Sequence, residues 1–448
     1  MIPAGYGLET DVGAVASGAV EWVRDAVVRD GDRARWRTRP DEDPHGERPD
    51  YGLYAGSAGV VLALAHLAEL TGDVAYRDDA LAGARELAAH EDDIGAGSLP
   101  LPGSEDTLYH GRAGAAYALA AVGAQTGDAV CLEAAARFTA GIAARARPDG
   151  DGVAWTGEPA LLVGDAGIVL HLLAMAELLD EPGWAELAAR AGTAIAARAE
   201  PDDRGGVRWL GFDSAWFGQS QRVYWPGFLG GTAGIAFTLA RLADVTGDER
   251  FLRLARRGAE HLTAIATRAA GGALVPLRDP DPERLHYLGL CHGPVGTARL
   301  FVELHRQTGE PYFLEWTRRL ANGMLACGVP DLRSPGLWNV DSQCCGLAGI
   351  VDFFLALWHM SGAEDDLAVA RRAGAQIVGR ALRDGPRYRW YQALTRTVPA
   401  SVTADIGYFT GALGIATALF HLASAEQGRF VVLATPDNPF AALREPAL

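Results

Sequence analysis

One phrase recurs seven times along the 448 residues: Gly, two residues, Gly, then an apolar run long enough for a helix. Its first glycines are Gly56, Gly111, Gly164, Gly231, Gly293, Gly346 and Gly411. Its second glycines are Gly59, Gly114, Gly167, Gly234, Gly296, Gly349 and Gly414. The period of about 50 to 70 residues is somewhat longer than in most helical solenoid repeats. Between the phrases lie segments such as RDDALAGARELAAH and WAELAARAGTAIAARA. Their apolar residues fall at i, i+3, i+4 and i+7, the stripe of an amphipathic helix. Several apolar runs end in Thr-Gly (Thr71, Thr126, Thr246, Thr308), where Gly suits the position just past a helix end.

Each repeat therefore predicts a helix pair, one helix nearly all apolar and one amphipathic. A helix apolar on every side must be buried on every side. Seven pairs achieve this by closing a ring, apolar helices inside and amphipathic helices outside. An open solenoid would need polar caps at both ends, and none is visible. The expected fold is all-α: an α/α toroid, or double-layered barrel, of seven helical hairpins forming a single domain over residues 1–448. The last repeat lacks a second helix of its own, and the helical pattern from Asp11 to Arg29 is expected to supply it. The paired glycines serve either as tight turns between crowded helices or as open helix mouths. In both cases the seven mouths gather at one end, around one cavity.

The residues at those mouths are uneven. Ala55, Val163 and Gly230 carry no chemistry, whereas His110, Cys291-His292, Cys344-Cys345, Tyr408 and Thr410 do. Three of the five cysteines thus share equivalent positions in neighbouring repeats. Thiolate and imidazole are preferred zinc ligands, and a catalytic zinc keeps three protein ligands and one open position. Cys291, Cys344 and Cys345 fit that count, with His292 as rival third ligand. The competing readings are a vicinal disulfide, which needs strained geometry, and small buried apolar side chains. Cys131 and Cys327 fall in or at the end of outer-helix patterns and are expected to be inert.

The totals limit the functional classes. A net charge of −16 excludes the basic stripe that displaces counterions from nucleic acid. No apolar run reaches the ~20 residues of a membrane span, so no membrane insertion is expected. Met1 to Asp11 lacks the basic and apolar regions of a signal peptide. Five cysteines in such a chain suit a reducing compartment, so a cytoplasmic location is expected.

The seven repeats, Leu290-Cys291-His292-Gly293 and Gln343-Cys344-Cys345-Gly346 resemble lanthionine synthetase C-like cyclases, from about Tyr51 to about Leu422. The resemblance implies the toroid and a catalytic Zn²⁺. It also implies addition of cysteine thiols to dehydroalanine or dehydrobutyrine, forming (methyl)lanthionine thioether rings in a ribosomal peptide. Cys291 matches the family's zinc cysteine of repeat five, with Leu290 replacing the usual Trp. Cys344 matches the cysteine of repeat six, and Cys345 stands where the family has histidine. A Cys-Cys-Gly form looks like a known subgroup with three thiolate ligands. The family histidine of repeat four is replaced within Leu229-Gly230-Gly231, and its repeat-three aspartate falls at about Ala160. Glu158 and Asp165 are near but not equivalent.

Proton transfer is therefore reassigned, left to water, or lost; the candidates are His292, His110, Tyr408 and His286, with Asp341 upstream of the second cysteine phrase. His171, His359 and His421 lie in helix patterns and are read as structural. The implied partners are a precursor peptide carrying dehydroamino acids and cysteines, and a separate dehydratase of kinase/lyase or glutamylation type. Two other readings are a zinc- and thiol-binding scaffold for partner enzymes, and glutathione addition to dehydroamino acids. Residues 37–50 read as a mobile loop. Residues 200–226, with Arg204, Trp209, Trp216, Arg222, Tyr224 and Trp225, form either an inter-repeat excursion or a lip for a peptide.

Overall fold

Each apolar run is a helix whose N-cap is the first glycine of its pair. The helices are α1 (Val12–Asp25), α2 (Ser57–Thr71), α3 (Val74–Ala89), the short α4 (Glu91–Ala96), α5 (Arg112–Thr126), α6 (Ala129–Ala144), α7 (Asp165–Leu178) and α8 (Gly183–Ala197). They continue with α9 (Thr232–Thr246), α10 (Glu249–Ile265), α11 (Pro294–Thr308), α12 (Pro311–Ala326), α13 (Leu347–Ser361), α14 (Glu364–Arg380) and α15 (Ala412–Ala425). The computed structural model describes residues 11–46, 49–96, 103–211, 223–269, 271–332 and 336–443.

The ring closes. α2 packs on α5, α5 on α7, α7 on α9, α9 on α11, α11 on α13, α13 on α15, and α15 back on α2. Each of these inner helices also pairs with the outer helix that follows it, from α3 to α14. α15 has no following helix, and α1 packs on it instead. The chain's two ends thus share one hairpin. Burial follows this two-layer plan. α9 is buried continuously from Thr232 to Ala240, whereas α10 buries the spaced set Phe251, Ala255, Gly258, Ala259 and Leu262.

The second glycine of each pair is a steric necessity. A Cβ at Gly234 would lie 1.8 Å from the carbonyl oxygen of Phe228, and one at Gly414 would lie 1.7 Å from that of Tyr408. The other five sit over the carbonyl six residues before them, at 1.9–2.5 Å. At the far end of the inner helices the Thr-Gly signals work as expected. Thr71 Oγ1 donates to the Leu67 carbonyl (2.7 Å) and accepts from the Asp73 N–H, while Gly72 takes the left-handed conformation. Thr126, Thr246 and Thr308 repeat this, and Ser361 adds a fifth case.

Two features depart from the sequence reading. α1 stops at Asp25, and residues 27–30 turn into an antiparallel hairpin with 33–36. Similar two-stranded hairpins follow α6, α8, α10 and α14. The strands are too short to show a period-two pattern. Four hairpins exit on a buried tryptophan: Trp36, Trp155, Trp209 and Trp390. Three of these donate Nε1–H to an outer-helix carbonyl, at Ile142, Ile195 and Ile377 (2.7–3.0 Å). These bonds tie each hairpin to the helix it leaves.

Residues 37–46 make turns anchored by Arg39 on Asp405 (2.9 Å) and by Ile406 N–H on the Thr38 carbonyl. Residues 47–48 lie outside the described residues, as do 212–222 with Trp216 and Arg222 of the proposed lip. Beyond α15 the chain returns across the ring. Arg299 of α11 and Tyr109 both bond the buried Asp437, and His359 meets the Leu443 carbonyl. This segment and the last turns of α2 and α5 enclose a cavity of about 450 Å³ lined by His66, Tyr117, Gln125, Arg429 and Phe440. Among the described residues no helix is long and apolar enough to cross a membrane.

Candidate metal centre

The mouths of the inner helices are stitched into a belt by the residue two places before each first glycine. These residues are Tyr54, Tyr109, Leu162, Leu229, Cys291, Cys344 and Phe409. Leu162 N–H donates to the Leu229 carbonyl (2.8 Å), and Leu229 N–H to that of Cys291 (2.9 Å). Leu290 N–H donates to the Cys344 carbonyl, Cys344 N–H to that of Phe409, Phe409 N–H to that of Tyr54, and Tyr54 N–H to that of Tyr109. Backbone groups held this way leave little freedom to the side chains they carry. Cys291 and Cys344 occupy neighbouring belt positions, and Cys345 follows directly.

Their sulfurs converge. Cys291 Sγ lies 3.3 Å from Cys345 Sγ, which lies 3.6 Å from Cys344 Sγ. All three sulfurs fall within 4.8 Å of one another, a group that could hold a metal ion. Neither the vicinal pair nor any other cysteine pair is bonded, since all five cysteines are free. Cys291 and Cys344 are buried, while Cys345 is partly open. Burial pushes the Cys344 thiol up, but hydrogen bonds from Cys291, Cys345 and Tyr54 outweigh it and bring it well below the usual thiol range. Cys291 is pushed well above that range, first by its hydrogen bonds to the other two sulfurs and then by burial.

The sequence-predicted acid/base residues are distributed unevenly. His292 directly follows Cys291 in the chain: its ring packs on Trp225 (5.2 Å) and edge-on to Tyr287 (5.7 Å), and Nδ1 has no hydrogen-bond partner. Burial lowers its pKa to about 4, against a small opposing pull from Cys344. The imidazole is therefore neutral, and it is not part of the sulfur group. His110 lies against the Tyr54 ring (5.5 Å), and burial lowers its pKa against the attraction of Asp50. Tyr54 in turn donates its hydroxyl to Cys344 Sγ at 3.0 Å.

His286 sits in a two-residue parallel pairing with Leu337, and burial lowers its pKa too. Tyr408 is not brought to the thiols; its hydroxyl meets Gln343 Nε2 (3.4 Å), which also bonds Asp352 in the ring interior. Asp341 is paired with Arg380 (2.6 Å), and Asp165 holds the N–H groups of Trp155, Thr156 and Gly157, so both serve the framework. His171 bonds Thr139, and His421 links Asp352 to His66. Cys131 and Cys327 lie apart from the sulfur group.

Sequence reasoning passed over Tyr54 and Tyr287. Tyr54 was hidden by reading one position too late in repeat one, at Ala55; aligning the belt position across all repeats would have found it. Tyr287 has its pKa pushed up to about 12, first by burial and then by Cys291 and Cys345, while a hydrogen bond from Arg396 opposes the rise. That arginine arrives from the loop before repeat seven, which no local pattern connects to repeat five. A second group, Asp202, His261 and Asp279, also has metal-like spacing. Its carboxylates are already taken by Arg204 and Arg208, whose two positive charges offset them.

Residues 47–212 match the family described as lanthionine synthetase C-like protein. That stretch, a little over a third of the chain, is LanC-like. The ring as a whole is similar to that of nisin cyclase, at a TM-score of 0.63 and 14% identity, covering 90% of this chain and 94% of that one. Weaker likeness extends to an α-1,6-mannanase variant of Salegentibacter sp. HEL1_6 (TM-score 0.49, 13% identity, 92% and 99% covered). A cellobiose 2-epimerase from Bacillus thermoamylovorans B4167 is similar at TM-score 0.47 and 11% identity, with 70% and 86% covered. The nisin cyclase likeness supports the toroid, and the match over residues 47–212 supports a cyclase-like function at family level.

Proposed function

We propose that this LanC-like protein is a zinc-dependent peptide cyclase that joins cysteine thiols to dehydroalanine or dehydrobutyrine, forming (methyl)lanthionine rings. The observation that carries this reading is the convergence of Cys291, Cys344 and Cys345 at one end of the ring. The donor set fits the metal: sulfurs around tetrahedral zinc stand about 3.8 Å apart, given Zn–S bonds of about 2.3 Å. The observed 3.3 and 3.6 Å separations need only a slight expansion. Cys291, Cys344 and Cys345 would hold the zinc, which would supply activation of a substrate thiol near neutral pH.

The chain's own residues then have the proton to manage. A thiol adds across the Cβ=Cα bond, so a C–S bond forms at Cβ while the electron pair moves to an enolate. His292, neutral and with Nδ1 unpartnered, takes the thiol proton and returns it to Cα. The missing family histidine and aspartate are not needed for this balance. Trp225 and Tyr287 flank His292 and limit access of water. The substrate is a precursor peptide, with dehydration supplied by a separate enzyme.

The test is incubation of the purified protein with a dehydrated, cysteine-containing peptide, counting free thiols by alkylation and mass spectrometry. The expected result is loss of peptide thiols with wild type and none above background with Cys291→Ala. Equal thiol loss with and without protein contradicts the activity.

A further inference from the structure

Three thiolates around a divalent cation give the site a net negative charge before substrate binds, and a substrate thiolate would add a fourth. The chain contains a feature that offsets this charge. Tyr54, from repeat one, donates its hydroxyl to Cys344 Sγ at 3.0 Å. Its placement is overdetermined. Its N–H is fixed on the Tyr109 carbonyl and its carbonyl on the Phe409 N–H, and its ring stacks on Phe409 (5.7 Å, 10°). Tyr109 meets the same ring edge-on (6.1 Å). The hydroxyl cannot leave the sulfur without breaking this packing.

We infer that Tyr54 is a positioning residue for the metal centre: its hydroxyl draws charge from Cys344 Sγ, so that a three-thiolate site can still acidify an incoming thiol. The inference rests on the proposed metal-binding reading and deepens it. A hydrogen bond to a ligating sulfur weakens its donation to the metal, restoring part of the Lewis acidity that the third thiolate removes. Partners of this kind typically alter metal affinity or activity about 10–100-fold. Cys345, as a third thiolate, creates the need; Tyr54 answers it from repeat one, two belt positions from Cys344.

The experiment loads wild type, Tyr54→Phe and Tyr109→Phe with Co²⁺ and records the sulfur-to-cobalt charge-transfer bands. The acidic limb of the pH profile for thiol addition is then measured on the zinc-loaded forms. Tyr54→Phe is expected to bind cobalt with its bands moved to lower energy, its acidic limb moved to higher pH, and its rate at neutral pH reduced about tenfold. Tyr109→Phe removes a hydroxyl bonded to Asp437 and is expected to change stability while leaving the bands in place. Should Tyr54→Phe fold poorly, 3-fluorotyrosine at position 54 keeps the shape, strengthens the donor and moves the bands to higher energy. Bands and pH limb identical to wild type in a cobalt-loaded Tyr54→Phe overturn the inference. Failure of wild type to load cobalt overturns the metal reading itself, and this inference with it.

Discussion

His292 adjoins a cysteine of the sulfur group, yet burial rather than charge sets its state. At a pKa of about 4 it carries no proton at neutral pH, so in the proposed reaction it would accept the thiol's proton before donating it. Replacing it with Asn keeps a polar side chain of similar reach but removes the titratable nitrogen. His292→Asn is expected to retain metal and lower the rate of thioether formation about 10²–10⁴-fold, as read by single-turnover mass spectrometry. A rate unchanged in His292→Asn would remove it from the proton path. Residue chemistry was legible in the sequence where a rare residue type recurred in register, as with Cys291 and Cys344. It was illegible for Tyr54 and Tyr287, whose significance lies in long-range contacts between separate repeats.

Between residue and ring stands the Gly-x-x-Gly mouth, which sets how near the belt residues come to one another. Gly234 has no room for a methyl group, because the Phe228 carbonyl oxygen sits 1.8 Å from where Cβ would be. Gly379, in the outer α14, has nothing within 4 Å of its Cβ position. Gly234→Ala is expected to cost about 1–3 kcal/mol through overpacking. Gly379→Ala is expected to add about 0.4–1 kcal/mol by restricting the unfolded chain. Urea midpoints measure both, and equal shifts would contradict the steric account. The helices were readable because their apolar periodicity runs for three or four turns. The hairpins were not, since two to four residues per strand give no period to read. Their recurring tryptophans (Trp36, Trp155, Trp209, Trp390) were nevertheless present as a signal.

At the scale of the whole molecule, ring closure buries groups that an open array would leave wet. His171 and His261 are fully buried, and burial lowers their pKa values to about 3 and about 4, with Asp202 partly opposing the effect at His261. Unfolded, each titrates near 6.5. Below that value the unfolded chain binds protons that the folded ring refuses, so stability falls as pH drops from about 6.5 toward 4. Between pH 6.5 and pH 5 the loss is roughly 2 kcal/mol per histidine. Denaturant titrations at the two pH values are expected to show this loss. His171→Gln, which can still donate to Thr139, is expected to reduce it by one histidine's share. A wild-type stability independent of pH in that window would mean that the histidines are not buried neutral. Closure itself was legible in outline, because the last repeat lacked an outer helix and the N-terminal segment had the pattern of one. The return of residues 429–443 across the ring was not, since that stretch has no periodicity and its anchors, Arg299 and Tyr109, lie far away in sequence.

All three scales meet in the proposed metal site. The most direct measurement is zinc per chain in freshly reduced protein after dialysis against buffered Zn²⁺, by atomic emission, for wild type and Cys291→Ala. About one zinc per wild-type chain is expected, with an affinity at least 10–100-fold weaker in the variant. Wild-type protein that holds no zinc, or a Cys291→Ala variant that holds it as tightly, would contradict it.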